Sequence, residues 1–424
     1  MFKVEKHILP NGLEVVLVQA PNSPTTTVEV RVETGSKYES NKELGLSHCL
    51  EHMCFKGTQK RPSAAEVHKS FDELGAINNA FTGTEVTGYW AKASSKNVLK
   101  IIDLVSDIYL NTIFRKEDLE KEKGVVIEEL NMYEDQPQSL VGELFDATMH
   151  GNQPAGLPIL GNKKSISSFT VEDLYNYRSK HYVAGATTVI VAGQFDGKKV
   201  LSAIKDLFNK APRSRKFGKK KTKIMHRGVR IVHKYKDTDQ AHLVVGFRSF
   251  PYKDKRNRVV SLIRGILSSG MSSRLFHRLR EELGICYYVS ALNGPSTDHG
   301  EFGVVAGVDP KRIDVAVEAI MGEFKKLKKD LVSEEELKKV KTSLISKMYM
   351  SLETSNAVLD YFSNRSTFYG DLKMPTEIEK EILAVQPEDI RNMANELFTN
   401  KDTLLAVVSK NINKTKLKKA LFLK

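Results

Sequence analysis

The chain has 424 residues, of which 41% are hydrophobic, and this is more apolar material than one compact core usually buries. Its formal net charge of +13 would suit a nucleic-acid-binding protein, but the basic residues are spread along the chain without a finger, helix-turn-helix or RNA-binding signature. Three cysteines are too few for a disulfide framework. We therefore expect a globular protein of several packed units, with reduced thiols and no nucleic-acid partner.

The chain starts with MFKVEKHILPNGLEVVLV, in which apolar and polar residues alternate around a Pro-Asn-Gly turn. This pattern predicts a β-hairpin, and it lacks the apolar core of a signal peptide. The longest apolar runs, such as TTVIVAGQF (187–195), have the length of a strand and fall short of the roughly 20 residues that a membrane-spanning helix needs. We expect no membrane span and a cytoplasmic location.

The stretch GLSHCLEHMCFKGT (45–58) places two histidines four residues apart, with a glutamate directly before the second. On a helix that turns by about 100° per residue, His48, Glu51 and His52 share one side. The opposite side carries apolar residues that can anchor the helix in a core: Leu46, Cys49, Leu50 and Met53. Cys49 is therefore not expected to bind a metal.

Two histidines at this spacing can reach a single zinc ion from one helix. Glu51 would then flank the ion, where its carboxylate can take a proton from a zinc-bound water and return it to a leaving amine. The alternative is a pair of ordinary surface or partly buried histidines. Such a role is expected for the histidines that lack a paired spacing, namely His68, His150 and His181.

A catalytic zinc ion takes about three protein ligands, so a third donor is expected on another element. The segment EDLEKEKGVVIEELNMYED (117–135) predicts a helix in which Glu122 and Glu129 lie nearly two turns apart on one face. Glu120 and Glu128 point elsewhere and are expected to be solvated. The residues alone leave both Glu122 and Glu129 as candidates for the third ligand.

The basic run RSRKFGKKKTK (213–223) lies in the middle of the chain, and the sequence repeats weakly across it. Residues 71–105 resemble residues 280–320 in a succession of helix end, glycine, strand, polar loop, strand and helix. We therefore predict two related domains, residues 1–212 and 224–424, joined by a solvated basic linker at 213–223.

Within each predicted domain, strands come in neighbouring pairs and helices lie between the groups. This succession favours an α+β fold in which antiparallel sheets are covered by helices. A second pair of similar segments, 118–133 and 336–350, puts Val340 and Lys347 where the first domain has Glu122 and Glu129. Only the first domain is therefore expected to hold zinc.

With these motifs the chain resembles the inverzincins, zinc peptidases with an inverted zincin motif, and in particular the pitrilysin and mitochondrial-processing-peptidase group. In that group the third ligand follows the second histidine after about 76 residues, and 76 residues separate His52 from Glu129. The resemblance implies one zinc ion per chain, held by His48, His52 and Glu129. It implies that Glu51 activates the water and that Glu122 supports the ligands.

The resemblance extends along nearly the whole chain. NNAFTGTEVTGYW (78–90) is similar to the family's substrate strand, and PAGLPILG (154–161) to the segment after the third-ligand helix. In the family, the residues that match Asn79 and Ala80 offer backbone and amide groups to an extended peptide. Without the resemblance, this strand reads equally well as an ordinary core strand.

RLREELGICYYVS (278–290) carries Arg280 and Tyr287 seven residues apart, as in the family's arginine and tyrosine pair. The resemblance implies that the arginine holds a substrate carbonyl or carboxylate and that the tyrosine donates to the oxyanion. Without the family resemblance, Arg280 would be interpreted as a charged residue on a helix surface and Tyr287 as an aromatic residue in a strand.

In long members of this family, four related domains close as a clam-shell around a chamber, with zinc in one half and the arginine and tyrosine pair in the other. The present chain corresponds to half of such a clam-shell, so the resemblance implies a partner chain. A homodimer would complete its sites in trans, and a heterodimer with a zinc-less relative is the alternative. The implied substrates are oligopeptides or unfolded peptide segments that can enter a closed chamber.

Neither a mitochondrial transit peptide nor the glycine-rich loop of the noncatalytic mitochondrial subunit is evident, so a prokaryotic zinc endopeptidase is expected. The rival interpretation is a noncatalytic structural or assembly subunit of the same fold. Such subunits usually have damaged metal motifs, whereas His48, Glu51, His52 and Glu129 are all present here.

Overall fold

A computed structural model describes residues 2–225 and 227–423. Its β-strands are, in chain order, β1 (Lys3–Ile8), β2 (Glu14–Gln19), β3 (Thr25–Val32), β4 (Ile77–Thr82), β5 (Thr87–Ser94), β6 (Thr187–Gly193), β7 (Arg230–Tyr235), β8 (Ala241–Ser249), β9 (Cys286–Pro295), β10 (Gly300–Val308) and β11 (Leu404–Ser409).

The α-helices are, in the same order, α1 (Leu46–Met53), α2 (Ala64–Asp72), α3 (Val98–Leu110), α4 (Lys116–Asp135), α5 (Pro137–His150), α6 (Lys163–Ser168), α7 (Val171–His181), α8 (Gly197–Phe208), α9 (Asn257–Ser268), α10 (Arg274–Phe276), α11 (Ile313–Lys329), α12 (Glu334–Met350), α13 (Ser355–Asn364), α14 (Pro375–Leu383), α15 (Pro387–Leu397) and α16 (Lys414–Ala420). Residues 213–223 contain no helix or strand. No helix within the described ranges is long and apolar enough to cross a membrane.

The strands form two sheets whose topologies correspond. One sheet has the order β1-β2-β6-β3-β5-β4 and the other has the order β7-β11-β8-β10-β9. Without β1, the two orders match strand for strand. In both sheets the first matched pair, β2 with β6 and β7 with β11, is parallel, and the remaining pairs are antiparallel. The parallel pairs require long crossover connections, which helices provide.

The predicted α+β class, with sheets covered by helices, is confirmed, with the added detail that each sheet contains one parallel pair. The residues form two compact units. The first unit comprises Met1–Asn131, Leu157–Lys220 and Ser351–Leu372. The second unit comprises the remaining segments: Met132–Gly156, Lys221–Met350 and Lys373–Lys424. These boundaries differ from the halves expected from the repeat, because two helical segments pack on the sheet of the other half of the sequence.

One of these segments, Ser351–Leu372, contains α13 and packs on strand β3 of the first unit. The hydroxyl of Thr27 lies 2.9 Å from that of Ser355, and Arg31 donates to Asn364 across 3.0 Å, both partners being in α13. Since successive strand residues point to opposite faces, the valines of β3 point away from α13. They join the main apolar core of the unit: Val28, Val30 and Val32.

Helix α5 packs in the same way on the sheet of the second unit. Its apolar residues form one core with inward-facing residues of β8 and β11. This core consists of Leu140, Val141, Phe145, Met149, Val244, Leu404, Ala406 and Val408. Helix α5 ends at His150, so the core fixes the position of that side chain relative to the sheet.

Candidate metal centre

Helix α1 carries the histidine pair, and a buried carboxylate fixes where this helix begins. Glu39 accepts hydrogen bonds from the backbone amides of Gly45 (2.8 Å) and Ser47 (2.7 Å), which have no partner inside the helix. Gly45 has φ 86°, and a Cβ there would lie 2.3 Å from the carbonyl oxygen of Leu160. Only glycine fits this close approach, so the start of the metal-site helix is fixed by local geometry.

The apolar side of α1 anchors it in the core as the periodicity predicts. The side chains on this face are fully or almost fully buried: Leu46, Cys49, Leu50, Met53 and Cys54. Burial raises the pKa of the Cys49 thiol to about 12, so this cysteine is a protonated core residue. Cys286 is also buried, and all three cysteines are free thiols.

The structure brings His48, His52 and Glu129 together. The Nε2 atoms of His48 and His52 lie 3.6 Å and 3.5 Å from the same oxygen of Glu129. Zinc bonds of about 2.0–2.1 Å in tetrahedral geometry place ligand atoms roughly 3.4 Å apart, so these separations suit a single ion. Each of the three residues offers an atom within 4.8 Å of the others.

The second nitrogen of His52 is held by Glu122. Nδ1 of His52 lies 2.9 Å from Oε1 of Glu122, whose other oxygen accepts a 2.5 Å hydrogen bond from Lys56. A carboxylate can only accept here, so Nδ1 carries the proton and the lone pair on Nε2 is directed toward Glu129. Although burial opposes it, the contacts with His52 and Lys56 lower the pKa of Glu122, which keeps this carboxylate charged.

The two histidines differ in their electrostatic surroundings. Burial, followed by repulsion from His52, lowers the pKa of His48 to about 4, so its imidazole is neutral at pH 7. Burial would also lower the pKa of His52, but the bond to Glu122 and the nearby carboxylates raise it. Nδ1 of His48 is buried without a hydrogen-bond partner among the described residues. A neutral, partly unsatisfied imidazole is the form that binds a metal.

Glu51 is buried beside the histidine pair, and a hydrogen bond fixes the orientation of its carboxylate. Its Oε2 accepts a 2.6 Å hydrogen bond from the hydroxyl of Thr82, the last residue of β4. Burial raises the pKa of Glu51, while the bond from Thr82 and the charge of His52 oppose that rise. A carboxylate with a raised pKa can accept a proton and release it again near neutral pH.

Helix α4 supplies both glutamates of the site from one face, as predicted. Glu122 is buried and Glu129 is half-buried, whereas Glu120 and Glu128 are exposed. The apolar neighbours on that face differ in their exposure to solvent: Val126 is fully buried, but Val125 is 52% exposed. In the second unit, Val340 is buried and Lys347 donates to Ser269 across 2.9 Å, so neither offers a metal ligand.

Asn79 and Ala80 lie in β4, which is the last strand of its sheet. The backbone N–H of Ala80 donates to the side-chain oxygen of Asn79 across 2.9 Å. As the end strand of its sheet, β4 has one edge without a neighbouring strand, and the side chain of Asn79 on this strand is exposed.

Arg280 and Tyr287 belong to the second unit, and the candidate metal ligands belong to the first. A guanidinium nitrogen of Arg280 donates to the backbone carbonyl of Tyr287 across 2.6 Å. The ring of Tyr287 is 59% exposed and therefore accessible. The predicted pair is thus brought together, through the backbone of Tyr287 and not through its hydroxyl.

Sequence reasoning missed three features. Thr82 and Lys56 contact the site, but a hydroxyl and an ammonium group have no spacing signature that would reveal these contacts. Of the histidines without paired spacing, His68 is exposed and His181 is buried, as expected for surface and core residues. His150 is also buried, but it lies close to His299 and Glu301 in a second group of possible metal ligands.

The chain matches two family models. Residues 14–163 match the model described as Insulinase (Peptidase family M16), and residues 168–344 match the one described as Peptidase M16 inactive domain. The candidate ligands all fall in the first matched region. A curated protein of Rickettsia felis named "Uncharacterized zinc protease" is 34% identical over 97% of this chain and 98% of its own length.

Two solved structures share the fold. A protease from Helicobacter pylori superposes with a TM-score of 0.89, 23% sequence identity, and coverage of 96% of this chain and 100% of that one. A chain of Complex III2 from Candida albicans has a TM-score of 0.85 at 19% identity, with coverage of 99% and 100%. At these identities the likeness concerns the fold alone.

The fold is α+β with two helix-covered sheets, and His48, His52 and Glu129 form a candidate metal site within it. The two family models and the Rickettsia relative show that this chain belongs to peptidase family M16, the pitrilysin-like family, in its short two-domain form.

Proposed function

We propose that this chain is a zinc-dependent endopeptidase that hydrolyses peptide bonds in oligopeptides or unfolded segments. One observation carries the proposal: the Nε2 atoms of His48 and His52 lie 3.6 Å and 3.5 Å from the same oxygen of Glu129, and the buried carboxylate of Glu51 lies beside them. Two histidines and one glutamate are a ligand set known from zinc peptidases. The zinc protease name of the Rickettsia relative supports the same activity.

His48, His52 and Glu129 would hold the ion. When bound, zinc supplies Lewis acidity that polarises the scissile carbonyl and lowers the pKa of water. Glu122 keeps His52 in the tautomer whose Nε2 is available, and the buried helix α1 fixes both imidazoles without further rearrangement.

Glu51 performs the proton transfers. Its carboxylate accepts the proton of the attacking water as the new C–O bond forms, and it then gives this proton to the leaving nitrogen as the C–N bond breaks. Thr82 holds one carboxylate oxygen, which leaves the other free for the proton. Burial keeps bulk water away from the carboxylate and raises its pKa, so that the proton can be passed on.

The substrate would bind as an added strand along the exposed edge of β4, with its backbone displacing the amide of Asn79 from Ala80. Arg280 and Tyr287 would anchor the peptide or stabilise the oxyanion. We propose that they act on the metal site of a second chain, in a homodimer that encloses the substrate in a chamber, with a zinc-less relative as the alternative partner.

Cleavage of a quenched mixed-peptide library by the purified chain tests this function. Wild type should cut peptides, chelation should abolish cutting, and zinc should restore it. Glu51→Gln should retain zinc and lose turnover, while Glu128→Gln, which changes an exposed glutamate on α4, should behave like wild type.

A Glu51→Gln variant with full activity would disprove the mechanism. A wild-type chain that binds zinc but cuts no peptide, alone or with a partner, would instead support the rival function of a noncatalytic structural or assembly subunit.

A further inference from the structure

The two end strands of the first unit's sheet, β1 and β4, differ in how their outer edges are protected. Strand β1 has the sequence KVEKHI, in which Lys3 pairs with Glu5 across 2.6 Å and Lys6 pairs with Glu14 of β2 across 2.6 Å. Strand β4 has the sequence INNAFT, which contains neither a charged residue nor a proline. Charges and prolines on an end strand discourage pairing with another chain. The edge of β4 therefore remains suited to receive a further strand.

The side chains of β4 alternate between the two faces of the sheet. Thr82 donates to Glu51 on the helix of the candidate metal centre, so Thr82 and Ala80 point to the metal side. Ile77 lies five residues before Thr82 and points to the opposite face, where it is 65% exposed. At about 3.3 Å per residue, the two positions are roughly 16 Å apart along the strand.

Helix α13 covers part of the face to which Ile77 points. In the strand register, Ile77 lies opposite Lys92 of β5, and Lys92 lies opposite Thr27 of β3. Directly opposite residues share a face, so these three side chains form a row across the sheet. The hydroxyl of Thr27 lies 2.9 Å from that of Ser355 in α13, whereas Ile77 at the other end of the row is exposed to solvent. An apolar, β-branched side chain thus lies on the unprotected edge.

A single exposed apolar side chain is ordinary on a protein surface. Ile8 of β1 is such a case, at 69% exposure on the edge that charges protect. The position of Ile77 differs, because its strand is open to pairing and ends at the threonine that holds Glu51. A strand added to β4 places one residue directly opposite Ile77, with its side chain on the same face.

We propose that Ile77 determines substrate specificity at a residue remote from the cut, and this inference rests on the proposed peptidase function. In a peptide that lies along β4 with its scissile bond near Thr82 and Glu51, the residue opposite Ile77 is about five positions from that bond. Ile77 packs against the side chain of this residue and favours apolar, above all β-branched, residues there. Preferred substrates are therefore extended segments with about five or more residues on one side of the bond.

Cut-site analysis of the zinc-loaded, full-length chain on a mixed-peptide library tests the proposal. Wild type should enrich apolar residues about three- to fivefold at one position about five residues from the cut. Ile77→Lys should lose this enrichment and favour Asp and Glu at the same position. Ile8→Lys is the matched control, because it changes an isoleucine of similar exposure on the opposite end strand, and it should keep the wild-type profile.

An Ile77→Lys profile identical to that of wild type would overturn the specificity role and leave the peptidase function intact. A wild-type dimer that dissociates in Ile77→Lys, with the cleavage profile unchanged, would also overturn it and assign Ile77 to a contact between two copies of the chain.

If wild type cuts no peptide, the proposed peptidase function fails, and the contact is tested by binding. The same library is then passed over immobilised wild type and Ile77→Lys, and the retained peptides are sequenced. Apolar enrichment on wild type that is absent on Ile77→Lys would support the contact, and equal compositions would overturn it.

Discussion

Thr82 donates a 2.6 Å hydrogen bond to Glu51, and this bond joins the end of an edge strand to the proposed general base. The threonine is 31 residues from the glutamate in sequence, and its side chain contacts the oxygen that would otherwise be free to rotate away from the ligands. Edge strand and metal helix are therefore coupled through a single hydroxyl. A peptide that binds along β4 would lie next to the group that positions the base.

Thr82→Val should lower kcat by about 10- to 100-fold while leaving zinc content unchanged, because the carboxylate loses its orientation. The bond from Thr82 also opposes the rise in the pKa of Glu51, so its loss should move the acid limb of the pH–rate profile to higher pH. Thr82→Ser retains the hydroxyl and should recover most of the activity. Equal rates for the valine and serine variants would rule out a positioning role.

Glu122→Gln should weaken zinc binding by about 10- to 100-fold, since an amide cannot hold His52 as a charged carboxylate does. Competition with a chromophoric chelator measures this change directly. Glu120→Gln, on the same helix, removes a side chain that is 56% exposed and paired with Lys123, and it should leave the affinity unchanged. Unaltered affinity in Glu122→Gln would show that the packing of helix α1 alone orients the imidazole.

The histidine and glutamate site could be predicted because each of its two helices carries a local pattern. His48 and His52 are one turn apart, and Glu122 and Glu129 are two turns apart, so each pair shares a face whatever the rest of the chain does. The order of the strands in the two sheets could not be predicted from the sequence. This order depends on long crossover connections, and no short segment of sequence specifies where such a connection leads.

Other features depend on tertiary contacts that leave no trace in local sequence. Helix α5 packs on the second sheet although it follows the first-unit glutamates, because its apolar face matches β8 and β11. His150 reaches Glu301 for the same reason, across 151 residues of sequence. Neither side chain has a neighbour at helical spacing that would have indicated this contact.

Tyr287→Phe should lower kcat by about 10²- to 10³-fold if its hydroxyl donates to the oxyanion, with metal content unchanged. The contact with Arg280 runs through the backbone carbonyl, so this substitution leaves it in place. Tyr235→Phe removes the hydroxyl of another exposed tyrosine, 68% exposed in β7, and should have no effect.

Mixing variants tests whether the site is completed in trans. In a homodimer that shares residues, co-expressed Glu51→Gln and Tyr287→Phe chains should recover about a quarter of wild-type activity, because half of the dimers are mixed and each has one intact site. Each variant alone should stay inactive. If the mixture is as inactive as its components, Tyr287 acts within its own chain or with a different partner.

Glu39 gives the start of α1 a dependence on pH. Burial raises its pKa from 4.5 to about 7, despite the two amide hydrogen bonds that it accepts. The folded state therefore favours the protonated carboxyl, so the stability from this group is complete below about pH 4.5 and is lost as pH rises through about 7. A shift of this size corresponds to about 3 kcal/mol.

Thermal unfolding from pH 5 to 8 should show a smaller decline in stability for Glu39→Gln than for wild type or for the exposed control Glu73→Gln. Parallel declines in all three proteins would contradict the assignment.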